Sequence, residues 1–148
     1  MQPIVLIPAR MAATRLPDKP LADIEGVAMI VRVLRQAELA AIGPVAVAAG
    51  ERQIVAAVKA AGGEAVLTDP ALPSGSDRIL AALHELDPQG QFDAVINLQG
   101  DMPFVAPLVI AIAMLMYAVT VGDRVAVPKV FRVLGRPVRF SLWHHAIG

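Results

Sequence analysis

Arg10, Arg15 and Lys19 stand within ten residues of one another in the stretch Pro8-Ala9-Arg10-Met11-Ala12-Ala13-Thr14-Arg15-Leu16-Pro17-Asp18-Lys19-Pro20-Leu21. Arginine grips phosphate oxygens with a planar fork, and lysine meets them as a point charge. A loop loaded in this way can surround a triphosphate. Pro17 and Pro20 stiffen it and lower the cost of ordering it. Charge count alone weighs an ordinary solvated loop equally. No glycine lies between Ala9 and Glu25, which excludes a G-x-G-x-x-G dinucleotide turn or a Walker-type phosphate loop there. A second candidate is Asp101, in Asn97-Leu98-Gln99-Gly100-Asp101-Met102-Pro103. Such a carboxylate can hold a divalent cation, although Gly-Asp before Met-Pro is also good turn chemistry, and taken alone the turn is the plainer reading. His144 and His145 form a third candidate. A histidine pair alone is weak evidence for a metal site, and two surface histidines near a chain end are the plainer account.

The elements that must carry these residues follow from the apolar pattern. Ile4-Val5-Leu6-Ile7 is a continuous run of the kind found in buried parallel strands. A loop is expected from Ala9 to about Gly26. Val27, Ile30, Val31, Leu34 and Ala37 then recur at helical spacing. Val45–Ala48 reads as a strand, and Glu51–Ala61 as a helix closed by Gly62-Gly63, where a left-handed cap is wanted. Ala65–Leu67 is a third strand. Ile79, Leu80, Leu83 and Leu86 mark a helix that Ser76 or Asp77 can cap and Pro88 stops. Ala94–Leu98 is a fourth strand. Alternating strands and helices predict an α/β fold, a parallel sheet with helices on both faces. Ligands of such sheets bind beyond the carboxyl ends of the strands. Those ends are Pro8-Ala9-Arg10, Ala49-Gly50, Thr68-Asp69 and Gln99-Gly100-Asp101, where the polar residues gather.

The chain has 148 residues, enough for one domain. With no cysteine it has no disulfide, no thiolate nucleophile, no iron–sulfur cluster and no cysteine-based zinc site. A hydrophobic content of 56% excludes a disordered chain. The formal net charge of zero hides an asymmetry. Residues 1–123 hold 8 basic and 13 acidic residues, whereas 124–148 hold 5 basic and none acidic. Arg132, Arg136 and Arg139 fall at a spacing that would share a helical face, read as solvated, with Pro137 against docking on nucleic acid or a membrane. Met1-Gln2-Pro3 lacks a basic leader region, so a cytoplasmic location is expected. Residues 102–122 carry no charge. A helix starting at Pro107 and running to Val121 would span roughly 22 Å against about 30 Å of hydrocarbon. It reads as a buried helix without a polar face, in need of cover on nearly all sides, and not as a membrane span.

The string Pro-Ala-Arg-x-x-x-Thr-Arg-Leu-Pro-x-Lys-Pro-Leu resembles the opening of the CMP-Kdo synthetases, the 3-deoxy-manno-octulosonate (Kdo) cytidylyltransferases. Ala60–Val66, Pro73-Ser74-Gly75-Ser76-Asp77-Arg78 and Asn97–Pro103 resemble further stretches of that family, in the right order, so the likeness covers residues 1–105. The resemblance implies a nucleotide-diphospho-sugar transferase architecture of Rossmann-like type, and a reaction joining CTP to Kdo for lipopolysaccharide biosynthesis. It implies that Arg10, Arg15 and Lys19 bind the triphosphate, and that Ala9, Ser74, Arg78 and Gln99 line the cytidine pocket. It further implies that Asp101 ligates Mg²⁺, with Arg10, Lys19 and Asp101 as the catalytic set. A homodimer is the family's usual state.

This sequence departs from the family's pattern. Ala13, Asp18 and Ala49-Gly50 stand where the family often has Ser, Gly and Thr-Asp. Members of the family are substantially longer. Leu142–Gly148 resembles a downstream Leu-(Trp/Tyr)-His-His-Ile-Gly motif that helps bind Kdo, which makes His144 and His145 candidate sugar contacts. The expectation is one nucleotidyltransferase domain over 1–148, with a nucleotide-binding core at 1–122 and a remnant of the sugar-binding section at 123–148. Two alternatives stand beside it: an inactive remnant that binds nucleotide or serves as an interaction surface, and another sugar nucleotidyltransferase such as a CMP-sialate synthetase.

Overall fold

The computed structural model describes residues 2–11, 18–122, 130–133 and 136–142, with side chains as far as Met114. Strand β1 (Pro3–Ala9) runs through the middle of a six-stranded sheet. After the first loop, a turn of 3-10 helix at Lys19–Leu21 leads into a short hairpin, β2 (Asp23–Ile24) and β3 (Val27–Ala28). Then come α1 (Met29–Leu39), β4 (Val45–Ala49), α2 (Arg52–Ala60), β5 (Glu64–Leu67), α3 (Gly75–Leu86), β6 (Ala94–Asn97) and α4 (Pro107–Gly122). Two further strands, β7 (Val130–Val133) and β8 (Arg136–Leu142), complete the order β5-β4-β1-β6-β8-β7. Neighbouring strands from β5 to β8 pair in parallel, and β7 joins β8 antiparallel at the edge.

Period-two alternation assigns the two faces of the sheet. Val5, Ile7, Val47 and Ile96 pack with α1, α2 and Ile110 of α4. Ile4, Leu6, Ala46 and Val95 pack with Ile79 and Leu83 of α3 on the other face. Both faces are therefore covered, as the continuous apolar runs predict. The chain moves outward from β1 through β4 to β5, then crosses to β6 on the opposite side of β1. The strand order thus reverses between β1 and β6, and their carboxyl ends open the crevice where ligands of such sheets bind.

Local chemistry explains the boundaries. Helix α2 ends in a Schellman motif, with the Gly63 N–H donating to the Val58 carbonyl and the Gly62 N–H to that of Lys59. Gly62 takes the left-handed conformation at φ 83°. Val27 lies in β3 and not in the first helix. Glu25 and Gly26 both have positive φ, at 52° and 78°, which turns the chain in a tight hairpin before the helix can start. The N-cap of α3 is Ser74, not Ser76 or Asp77. Its hydroxyl oxygen accepts from the Asp77 N–H, and the same hydroxyl donates to the Asp77 carboxylate.

The arginines of the basic tail lie on strands and not on a helix. Arg132 lies in β7, and Arg136 and Arg139 lie in β8, so they share no helical face. β-branched and aromatic residues in this stretch favour extended chain, and β6 would otherwise present an unpaired edge. Helix α4 covers part of what its composition demands. In it Ile110 is buried, while Leu108 and Ile112 are exposed, as is Phe104 just before the helix. Among the described residues no helix is long and apolar enough to cross a membrane.

Candidate functional site

The carboxyl ends of β1, β4, β5 and β6 converge, and a network of polar contacts ties them together. Arg10 leaves β1 exposed to solvent. The Gly50 N–H, at the end of β4, donates to the Ala9 carbonyl at 2.9 Å. The Met11 N–H donates to the Glu51 carboxylate at 2.9 Å. The first loop is therefore held to the start of α2 on both sides of Arg10. The position of Gly50 is crowded, since a Cβ there would lie 2.9 Å from Nη1 of Arg78 and 3.3 Å from Cβ of Arg10.

Arg78 is buried, at 2% exposure, at the start of α3. Its guanidinium donates to Oγ1 of Thr68 and to the carbonyls of Asp69 and Pro70. Thr68 in turn donates to the Ala49 carbonyl at 2.8 Å. This relay joins α3, the loop after β5 and the end of β4. Burial pulls the Arg78 guanidinium below the usual arginine value; Glu51 pushes it up, Arg10 lowers it further and Asp69 raises it. An arginine stays protonated under such shifts. Much of its hydrogen-bonding capacity already serves its own protein. It stands at the floor of the site as a support for the strand ends. Ser74, one turn earlier, is exposed and caps the helix.

The last strand end brings the remaining residues. The Leu98 N–H continues the ladder to the Leu6 carbonyl. A Cβ on Gly100 would lie 2.8 Å from the Pro8 carbonyl oxygen, so only glycine permits this approach to β1. The half-buried Gln99 side chain donates to Oδ1 of Asn97 at 3.2 Å. Asp101 then meets the first loop: Nζ of Lys19 lies 3.0 Å from its Oδ2. The two residues are 82 apart in sequence and their side chains are 37% and 47% exposed. This partly solvated ion pair spans the crevice between β1 and β6.

Of the residues singled out in the sequence, Ala9, Arg10, Lys19, Ser74, Arg78, Gln99 and Asp101 all fall at this end of the sheet. Arg15, His144 and His145 lie outside the described residues. Glu51 and Thr68 belong to the same network. Their signal was their position just after a strand, with no motif to mark it. Among the described residues there is no cluster of three His, Asp or Glu side chains able to hold a metal. Asp101 alone nevertheless suits Mg²⁺ in a nucleotide site, because that ion is often held by one or two carboxylates together with substrate phosphates.

A doubly wound sheet with a cation-bearing loop and a carboxylate at the switch point places the chain among the doubly wound α/β proteins, whose ligands bind at that point. The family model described as Cytidylyltransferase matches residues 4–128, and this chain belongs to that family. It is a homologue of the 3-deoxy-manno-octulosonate cytidylyltransferases. That of Xanthobacter autotrophicus is 53% identical over 151 aligned positions, covering 94% of this chain and 59% of the relative. The aligned stretch is longer than the chain, so the relative carries residues with no counterpart here. The solved structure of CMP:2-keto-3-deoxy-manno-octonic acid synthetase in complex with CTP is 35% identical, with a TM-score of 0.73, covering 80% of this chain and 48% of that one. A Mycobacterium tuberculosis protein solved with manganese shares the fold at 19% identity and a TM-score of 0.58, covering 80% of this chain and 61% of that one. The chain spans about half the length of the curated relatives it matches.

Proposed function

We propose that this chain is the nucleotide-binding side of a 3-deoxy-manno-octulosonate cytidylyltransferase, which joins CTP to Kdo and releases pyrophosphate. The observation that carries the reading is the meeting of Lys19 with Asp101 across the switch point. A cation for phosphate and a carboxylate for metal face each other where a nucleotide would enter. In the reaction the anomeric hydroxyl of the sugar attacks the α-phosphorus and gives up its proton to solvent, while the bond from the α-phosphorus to the α,β-bridging oxygen breaks and pyrophosphate leaves with the electron pair. Arg10, Arg15 and Lys19 hold the triphosphate and take up the charge that grows on the departing pyrophosphate. Ala9, Ser74 and Gln99 border the cytidine, with Arg78 beneath them. Asp101 would hold Mg²⁺, which would supply further charge neutralisation on the phosphates.

His144 and His145 are assigned to the sugar, residues 1–122 to the nucleotide and 123–148 to the sugar side. A cytoplasmic homodimer in lipopolysaccharide biosynthesis belongs to the same reading. Neither nucleic acid nor membrane insertion has a part in it.

Calorimetric titration with CTP, with and without Mg²⁺, tests the nucleotide site, and pyrophosphate release with Kdo tests the transfer. Binding that Mg²⁺ strengthens is expected. No CTP binding under either condition refutes the reading. Binding without pyrophosphate release identifies a nucleotide-binding remnant instead of an enzyme.

A further inference from the structure

Glu51 occupies the N-cap position of α2, yet its side chain makes no capping bond to that helix. Its half-buried carboxylate instead accepts the N–H of Met11, 40 residues earlier in the chain. The adjacent Gly50 N–H donates to the Ala9 carbonyl. Residues 50–51 therefore grip the first loop immediately before and immediately after Arg10. Cβ of Arg10 and Nη1 of Arg78 both lie against the Gly50 position, and the Glu51 carboxylate offsets the effect of Arg10 on Arg78.

We infer that Glu51 is a positioning residue: it pins the first loop at Met11 and so aims Arg10 at the triphosphate. The inference rests on the assignment of Arg10 to the triphosphate. Electrostatics decides the sign of the test. A carboxylate near a phosphate site repels the ligand, so if charge were its only influence, removing Glu51 would tighten anion binding. If it positions the loop, removing the acceptor loosens Arg10 and weakens binding.

Three variants separate these effects. Glu51→Gln keeps an oxygen acceptor without the charge. Glu51→Ala removes both. Glu51→Asp keeps the charge on a side chain one methylene shorter, which draws it back from Met11. Each is titrated with CTP and with inorganic tripolyphosphate, and the exchange rate of the Met11 amide is followed without ligand. Glu51→Ala and Glu51→Asp are expected to weaken both ligands roughly tenfold, in line with one hydrogen bond to a charged group. Both should lose protection at Met11. Glu51→Gln should stay within about threefold of the parent and keep that protection. Equal or tighter binding by Glu51→Ala, or an equal loss in Glu51→Gln, overturns the inference while the nucleotide site stands. A parent chain that binds neither ligand overturns the functional reading, and this inference with it.

Discussion

Asp101→Asn should have two opposite effects on CTP binding. The Lys19–Asp101 pair is partly solvated, at 37% and 47% side-chain exposure, and exposed pairs of this kind contribute about 0.2–1 kcal/mol. A triphosphate that recruits Lys19 must first separate it from Asp101. The substitution removes that cost, so metal-free CTP binding should tighten by about 1.4- to 5-fold. At the same time a neutral amide is a poorer ligand for a hard divalent cation than a carboxylate. The strengthening of CTP binding by Mg²⁺ should therefore disappear. The fold should persist, with a loss below about 1 kcal/mol, since neither partner is buried. Titrations in chelator and in excess Mg²⁺ measure both effects on one preparation. A variant that responds to Mg²⁺ as the parent does would show Asp101 to be only a turn residue. Weaker metal-free binding would show that Lys19 is not held back by the pair.

Other perturbations address neighbouring links. Lys19→Ala should weaken CTP binding by about 1.5–3 kcal/mol, the range for hydrogen bonds to charged groups; unchanged affinity by calorimetry removes it from the triphosphate site. Arg78→Met should lower stability by about 1–3 kcal/mol in denaturant titration, because the buried Thr68 hydroxyl and the part-buried Asp69 and Pro70 carbonyls lose their donor. A parental unfolding midpoint would show that the relay does not hold the strand ends. Gly100→Ala places a Cβ 2.8 Å from the Pro8 carbonyl, and forcing β1 and β6 apart should cost about 1–3 kcal/mol. CTP affinity should fall with it, and a variant unchanged in both respects would show the crevice to be more yielding than this contact implies.

The main strands, the glycine stop of α2 and the family motifs were all written locally, and the amino-acid sequence alone determined them. Continuous apolar runs such as Ile4–Ile7 announce buried strands because both faces of a parallel sheet are covered. Gly62-Gly63 announces a helix end because few other residues accept a positive φ. The basic loop and the Gln99-Gly100-Asp101 turn were likewise visible, since their chemistry lies in residue types at short spacing. Tertiary structure alone decided what depends on contacts between distant residues. Val27 pairs with Ile24 instead of entering α1, because two positive-φ residues turn the chain first. Residues 136–142 are extended, with Phe140 beside Val95, because an open sheet edge offers partners that local periodicity cannot reveal. The engagement of Glu51 with Met11 and of Lys19 with Asp101 arises only when the strands align their carboxyl ends. Hydrogen bonds and ion pairs require proximity of a few ångströms, and residues 40 and 82 positions apart gain it only through the order of strands in the sheet.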